Sequence, residues 1–232
     1  MATTPEPKTV DKRLYVSGEY ISHFRPAFEG DSFQGIYAEK RDYVIHRVNR
    51  IREEGLRILD LGGGMGRLTI PLATRHRMVL ADLSTDMLRL AGEQRGGLHR
   101  INCDAEFPCF ADQSFDAVVA IDLVSHLPRL PNVLVELRRI LKPDGFLLMD
   151  VTNSNPLWIL GYPRYVSPLR QPGRWMRTLL GAGVLPEWQG RIHHLSKGRF
   201  GRVLDQSGFR VLEWASFGPS LCPKWFLAVC TV

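Results

Sequence analysis

Between Leu56 and Val151, short apolar runs alternate with amphipathic stretches of helix length. That alternation marks βαβ units winding a parallel sheet, since a parallel strand needs a crossover, usually a helix, before the next strand can start at the same end. The apolar runs predict strands at 57–61, 78–82, 98–103, 115–121 and 146–151. Helical period is clearest after the fourth strand, where Leu130, Leu134, Leu137 and Leu141 recur about one turn apart. Pro131 stands near the start of that helix, where the missing N–H has no intrahelical partner to lose, and Lys142-Pro143-Asp144-Gly145 reads as the turn that ends it. Upstream, Tyr37, Val44, Val48 and Ile51 predict a helix over 37–54 that packs on the sheet. Downstream, Ser196 caps a helix carrying Phe200, Val203 and Leu204, and Gly208 ends it in the left-handed conformation. Residues 209–215 and 224–232 read as two further strands, joined around Gly218-Pro219.

The chain has 232 residues, 44 % of them hydrophobic and 23 % charged, the proportions of one globular α/β domain. Its expected parts are an N-terminal arm (1–36), a core (37–151), a cap insertion (152–194) and a last helix with two strands (195–232). Residues 1–12 lack the apolar segment of a signal peptide, and no stretch offers the roughly 18 apolar residues of a membrane span, so a cytoplasmic location is expected. Cys103, Cys109, Cys222 and Cys230 lack C-x-x-C spacing, which favours neither a zinc site nor a disulfide framework; no metal is expected. The net charge of +6 is unevenly placed. Residues 152–232 carry 10 Lys+Arg against 3 Asp+Glu, net +7, while residues 1–151 carry 20 against 21, net −1.

The sharpest local feature is the run from Ile58 to Arg67, an apolar strand that enters a glycine-rich turn and opens a helix. Such a turn lets main chain approach a ligand closely and aims free helix N–H groups at negative charge. A dinucleotide fingerprint G-x-G-x-x-G would need Gly or Ala where Arg67 stands, and that opposes an NAD site. Carboxylates follow at the ends of the next strands: Asp82 after the second, Asp104 in Asn102-Cys103-Asp104-Ala105-Glu106 after the third, and Asp122 after the fourth.

This series resembles the class I S-adenosylmethionine (SAM)-dependent methyltransferases, in their small-molecule, type 11-like branch. Asp60, Gly62, Gly64 and Gly66 match the first motif of that family, D/E-x-G-x-G-x-G, and 115–122 and 136–146 are similar to its fourth-strand segment and closing K-P-G-G-type turn, with Asp144 where the family often has Gly. The resemblance implies a doubly wound, mostly parallel seven-stranded sheet of the Rossmann-like methyltransferase fold, with an antiparallel last strand and a helical or irregular cap. It implies SAM as cofactor and S-adenosylhomocysteine as product. The cofactor residues it implies are Asp60, Gly62, Gly64 and Gly66, Asp82 with Leu83 for the ribose, and Asp104 with Ala105 for the adenine; Asp122, at the edge after the fourth strand, is a further candidate for cofactor contact.

Methyl transfer is an in-line displacement, and an acceptor hydroxyl or acidic carbon also needs a base beyond the C-terminal strand ends. His126, His193 and His194 are the candidates, with Tyr15, Tyr20 and His23 of the arm able to close over the site. A packing role for His126 and surface exposure for His193 and His194 are the competing readings. In the cap, Arg164, Arg170, Arg174, Arg177 and Arg191 interleave with Trp158, Tyr162, Tyr165, Trp175 and Trp188. Arginine suits carboxylate or phosphate and the aromatics suit a flat or greasy body, so an anionic or amphiphilic small molecule is the expected acceptor. Four alternatives stand beside it: a lipid or quinone precursor handled at a membrane surface, an RNA substrate favoured by the pI of about 9.3, a SAM-binding protein without turnover, and an ordinary packed insertion. The run after the fourth strand, Asp122-Leu123-Val124-Ser125, lacks the Asn/Asp-Pro-Pro-Tyr/Phe motif of base methylases, which opposes nucleic acid. Neither the oligomeric state nor the methylated atom is legible.

Overall fold

The computed structural model describes Lys12, Val16, residues 31–155 and residues 194–232. The elements in chain order are α1 (Asp31–Ile51), β1 (Arg57–Leu61), α2 (Thr69–Leu72), β2 (Arg77–Asp82), α3 (Thr85–Gln94), β3 (His99–Asn102) and β4 (Phe115–Ala120). They continue with a 3-10 turn (Val124–His126), α4 (Leu130–Ile140), β5 (Leu141–Thr152), α5 (Lys197–Gln206), β6 (Arg210–Phe217) and β7 (Trp225–Thr231). The strands form one seven-stranded sheet in the order β3-β2-β1-β4-β5-β7-β6, parallel except for β7, which runs antiparallel to both β5 and β6. This is the α/β, doubly wound, mostly parallel arrangement expected.

The central strands read as continuous apolar runs because both faces of the sheet are covered. Successive side chains point to opposite faces. Thus Leu59, Leu61, Val118 and Leu147 pack with α4 and α5, while Ile58, Ala117, Val119 and Leu148 pack with Val44 and Val48 of α1 and Leu72 of α2. On α4, Leu130, Val133, Leu134, Leu137 and Ile140 are buried, and the proline sits at the helix start as expected. Ser196 caps α5 by accepting from the Arg199 N–H at 3.3 Å, and Gly208 follows at φ +81°.

Two boundaries differ from the sequence expectation. Helix α1 begins at Asp31, within the segment expected to be an arm. Strand β5 begins at Leu141, which pairs with Phe115, so the Lys142-Pro143-Asp144-Gly145 turn is a bulge inside the strand; Phe146 then pairs with Ala117. One residue of β4 spans four of β5, and the ladder resumes in register for the apolar run. Among the described residues, no helix is long and apolar enough to cross a membrane. The cap residues 156–193, with His193 and the five arginines, and Tyr15, Tyr20 and His23 lie outside the described residues.

Candidate functional site

The chain order reverses direction across the sheet between β1 and β4, and in open α/β sheets a cleft forms outside the C-terminal strand ends at such a switch point. A cleft lies there, enclosing about 420 Å³ including its open mouth, lined by Asp60, Gly62 and Gly63 from β1 and its turn, Arg67 and Leu68 beyond it, Ile121 and Asp122 after β4, and Tyr37, Lys40 and Arg41 of α1.

The glycine turn is built for close approach. Gly62, Gly64 and Gly66 all have positive φ, +72°, +55° and +80°, where a Cβ would be strained. A side chain on Gly63 would strike Leu80 and the Asp60 carboxylate, whereas one on Gly64 would meet open space. The turn is therefore packed tightly beneath Gly63 and bare at Gly64. Asp60 supports it from below: it is 1 % exposed and accepts from Thr69 Oγ1 at 2.6 Å. Burial pushes its carboxyl up to about 6, the Thr69 bond opposing this and the Asp82 charge adding to it.

Asp82 ends β2 beside the turn. One carboxylate oxygen accepts from the Gly64 N–H at 2.9 Å and the other from the Ser84 N–H at 2.8 Å. Burial raises its pKa and those main-chain bonds oppose the rise. Leu83 follows it, half-buried. On the next strand, Asp104 accepts from the Glu106 N–H at 3.0 Å and from Lys12 Nζ, which also pairs with Glu106, while Arg129 meets Glu106 at 3.2 Å. Ala105 is buried beside it. The acids at 60, 82 and 104 thus stand at the same ends of three adjacent strands.

On the β4 side, Asp122 is one of two described non-glycine residues with positive φ, at +58°. Its N–H donates to Asp150 Oδ1 at 2.7 Å, and Lys40 Nζ reaches both carboxylates, Asp122 at 2.5 Å and Asp150 at 2.6 Å. Lys40 is 2 % exposed and its ammonium lies 4.4 Å from the centroid of the Trp225 ring. Burial pushes Asp150 up to about 6, with Lys40 opposing and the Asp122 charge adding. For Asp122 burial pushes upward too, but the Lys40 and Arg67 charges outweigh it and hold the carboxyl below its usual range. Burial lowers Lys224 to about 8; its ammonium lies 4.0 Å from the same Trp225 ring.

His126 sits half-buried in the 3-10 turn just past Asp122, and His194 is half-buried beside the bridge that pairs Asn153 with Leu195. Sequence reasoning missed Lys40, Asp150, Lys12 and Lys224. A signal existed for Lys40, which shares the buried helical face of Tyr37, Val44 and Val48, and for Asp150, an acid inside an apolar strand.

A doubly wound sheet with an antiparallel β7, a bare glycine turn after β1 and carboxylates ending β2 and β3 defines the class I methyltransferase fold. Residues 59–149 match the family model described as a methyltransferase domain, and the fold is that of the class I SAM-dependent methyltransferases. It is 32 % identical over 165 residues to the ubiquinone/menaquinone biosynthesis C-methyltransferase UbiE of Bordetella avium, covering 68 % of this chain and 58 % of that protein. The chain spans less than two thirds of the length of that curated relative. Among solved structures, a Pyrococcus horikoshii protein superposes with a TM-score of 0.67 at 23 % identity, over 93 % of this chain and 99 % of the other. The magnesium protoporphyrin IX methyltransferase of Synechocystis, with bound S-adenosylhomocysteine, does so with a TM-score of 0.67 at 16 % identity, over 94 % and 97 %. The cofactor of this class is SAM.

Proposed function

We propose that this chain transfers the methyl group of SAM to a small-molecule acceptor that is anionic or amphiphilic. The observation that carries this reading is the bare turn at Gly64, whose N–H is bonded to the Asp82 carboxylate while the space a side chain would fill stays open. That space lies beside the strand ends that carry Asp82 and Asp104, where a nucleoside would bring its ribose and adenine. Asp82, its rotation fixed by two main-chain donors, accepts from the ribose hydroxyls with its remaining lone pairs, and Leu83 lies beside the sugar. Asp104 accepts from the adenine amino group, sharing its carboxylate with Lys12, and Ala105 provides an apolar wall. Gly62, Gly64 and Gly66 admit the cofactor's amino-acid portion, Asp60 supports the turn, and Asp122 faces that portion from β4.

When bound, SAM supplies an electrophilic methyl carbon on a sulfonium, open to in-line attack. The protein's part is then to align the acceptor, exclude water and, for a hydroxyl or acidic carbon, remove a proton. His126, placed just after Asp122, and His193 and His194 at the end of the cap are the proposed bases. The single domain extends over 1–232 in this reading, with the arginines and aromatics of 152–194 selecting the acceptor and the whole acting in the cytoplasm.

A quinone-precursor acceptor is a second reading, favoured by the likeness to the ubiquinone/menaquinone biosynthesis C-methyltransferase of Bordetella avium and by the basic C-terminal third. Incubation with methyl-labelled SAM and a cell extract, followed by mass spectrometry of labelled species, tests both. Label in a small anionic or prenylated molecule is the expected result, and label only in RNA or none at all overturns the proposal.

A further inference from the structure

The ion triad of Lys40, Asp122 and Asp150, with Lys40 and Asp150 buried and Asp122 partly exposed to the cleft, joins three elements that the sequence keeps far apart. Helix α1 contributes Lys40, the turn after β4 contributes Asp122 and β5 contributes Asp150. Replacing such a triad with apolar groups of the same volume is often neutral or stabilising, so its presence is weak evidence of a stabilising role. Its geometry serves placement better. Asp122 sits in the left-handed region, which a non-glycine residue occupies only when its surroundings over-determine it. The surroundings here are the Asp150 oxygen that accepts the Asp122 N–H and the Lys40 ammonium that bridges both carboxylates. The next residue, Leu123, packs so closely on Gly62 that a Cβ there would meet Leu123 Cδ1 at 2.9 Å. A displacement of Asp122 is thereby passed to the glycine turn. The same ammonium fixes α1, whose Tyr37, Lys40 and Arg41 wall the cleft, and whose other end is held to β6 by Tyr43 and Arg47 on Glu213.

We propose that Lys40 is a positioning residue for the cofactor: by bridging Asp122 and Asp150 it holds the turn after β4 against Gly62 and locks α1 across the cleft. This rests on the reading of the cleft as a SAM site. The bridge needs both carboxylates ionised, and the charged groups around them are Lys40 from α1, Arg67 from the turn after β1, Lys224 from the entry to β7, and each other. Cofactor affinity therefore falls on acidification as Asp150 takes up a proton.

The test is calorimetric titration of the full chain with S-adenosylhomocysteine between about pH 5 and pH 8, for wild type, Lys40→Met and Asp150→Asn, beside thermal unfolding without ligand. The expected result for Lys40→Met is a dissociation constant raised about tenfold at neutral pH, with the loss on acidification moved to higher pH because the carboxylates lose their counter-ion. Asp150→Asn keeps volume and an oxygen for the Asp122 N–H, so it carries the test if Lys40→Met is not recovered folded. In it the loss on acidification shrinks to the part contributed by Asp60 and Asp82, whose carboxyls burial also raises. Wild-type affinity and an unaltered pH profile in a folded variant overturn the proposal, even where the melting temperature has dropped. Failure of wild type itself to bind overturns the reading of the cleft.

Discussion

Two carboxylates flank the glycine turn, Asp82 at the end of β2 and Asp122 after β4, and are held by different means. Asp82 takes main-chain N–H groups, from Gly64 and Ser84, within the residues that form the strand end, the glycine turn and the following helix entry. Asp122 takes the ammonium of Lys40, 82 positions away in sequence, and passes its own N–H to Asp150, 28 positions away. The first arrangement follows from local backbone geometry and survives most side-chain changes around it. The second depends on three particular side chains and on the titration of its acids, of which Asp150 is buried. One side of the cleft is thus held by the main chain around it, and the other by a clasp of side-chain charges.

The largest expected effect comes from removing the carboxylate of the side held by main chain. Asp82→Ala strips acceptors from two main-chain donors and from the ligand, and since a hydrogen bond to a charged group contributes about 1.5–3 kcal/mol, affinity for S-adenosylhomocysteine falls about 100-fold or more. Calorimetry reads this directly. An affinity within threefold of wild type would mean that Asp82 does not meet the ligand and that the contrast between the two sides is only structural.

The glycines sharpen the same contrast within four residues. Gly63→Ala drives a methyl into Asp60 and Leu80, and overpacking of this kind lowers stability by about 1–3 kcal/mol in urea unfolding. Gly64→Ala meets none of the described residues and loses about 1 kcal/mol through its positive φ, but its methyl points into the space proposed for the ligand. It lowers affinity more than stability, and Gly63→Ala does the reverse. Equal effects in both assays for both variants would remove the case for an open face at Gly64.

These two sides were unequally legible in the sequence. Asp82 and Asp104 were legible as acids closing or following an apolar run, and they stand at the end of β2 and just past β3. Asp60 was readable by position but not by role: its carboxylate turns inward to Thr69, nine residues on, and no periodicity announces that bond. Lys40 lies among the charged residues Glu39, Arg41 and Asp42 and reads as solvated surface, although its helical register with Tyr37 and Val44 assigns it to the buried face. The beginning of β5 was misread for a related reason. Lys-Pro-Asp-Gly is turn chemistry, and only the partner strand reveals that Leu141 before it already pairs with Phe115.

Buried Asp60 offers a test of the main-chain side by pH. Its carboxyl is raised to about 6, so between roughly pH 4 and pH 6 the folded chain keeps a proton that the unfolded chain has released, and this group's contribution to stability falls as pH rises through that window. Asp60→Asn lacks the titration. Its unfolding free energy relative to wild type should therefore climb by about 2 kcal/mol from the bottom of the window to the top and level off above it, at 1.36 kcal/mol per pKa unit. A flat difference in urea unfolding across the window would mean that Asp60 is ionised there, with the Thr69 hydroxyl and nearby main chain solvating it fully.

The smallest effect separates helix capping from ligand placement. Ser84 and Ser196 both cap helices, accepting from Met87 N–H at 3.4 Å and Arg199 N–H at 3.3 Å. Alanine at either position should lower stability by about 1 kcal/mol, a fall of roughly 2–4 °C in melting temperature for a domain of this size. The Ser84 N–H also holds Asp82, and it belongs to the backbone, so the substitution leaves that bond in place but frees the first turn of α3 that positions it. Ser84→Ala should then weaken S-adenosylhomocysteine binding two- to threefold, by about 0.5 kcal/mol, and Ser196→Ala not at all. If neither variant changes affinity, the Asp82 carboxylate is held by the glycine turn alone. The main-chain side of the cleft would then reduce to residues 60–66 and the end of β2, with α3 serving only the fold.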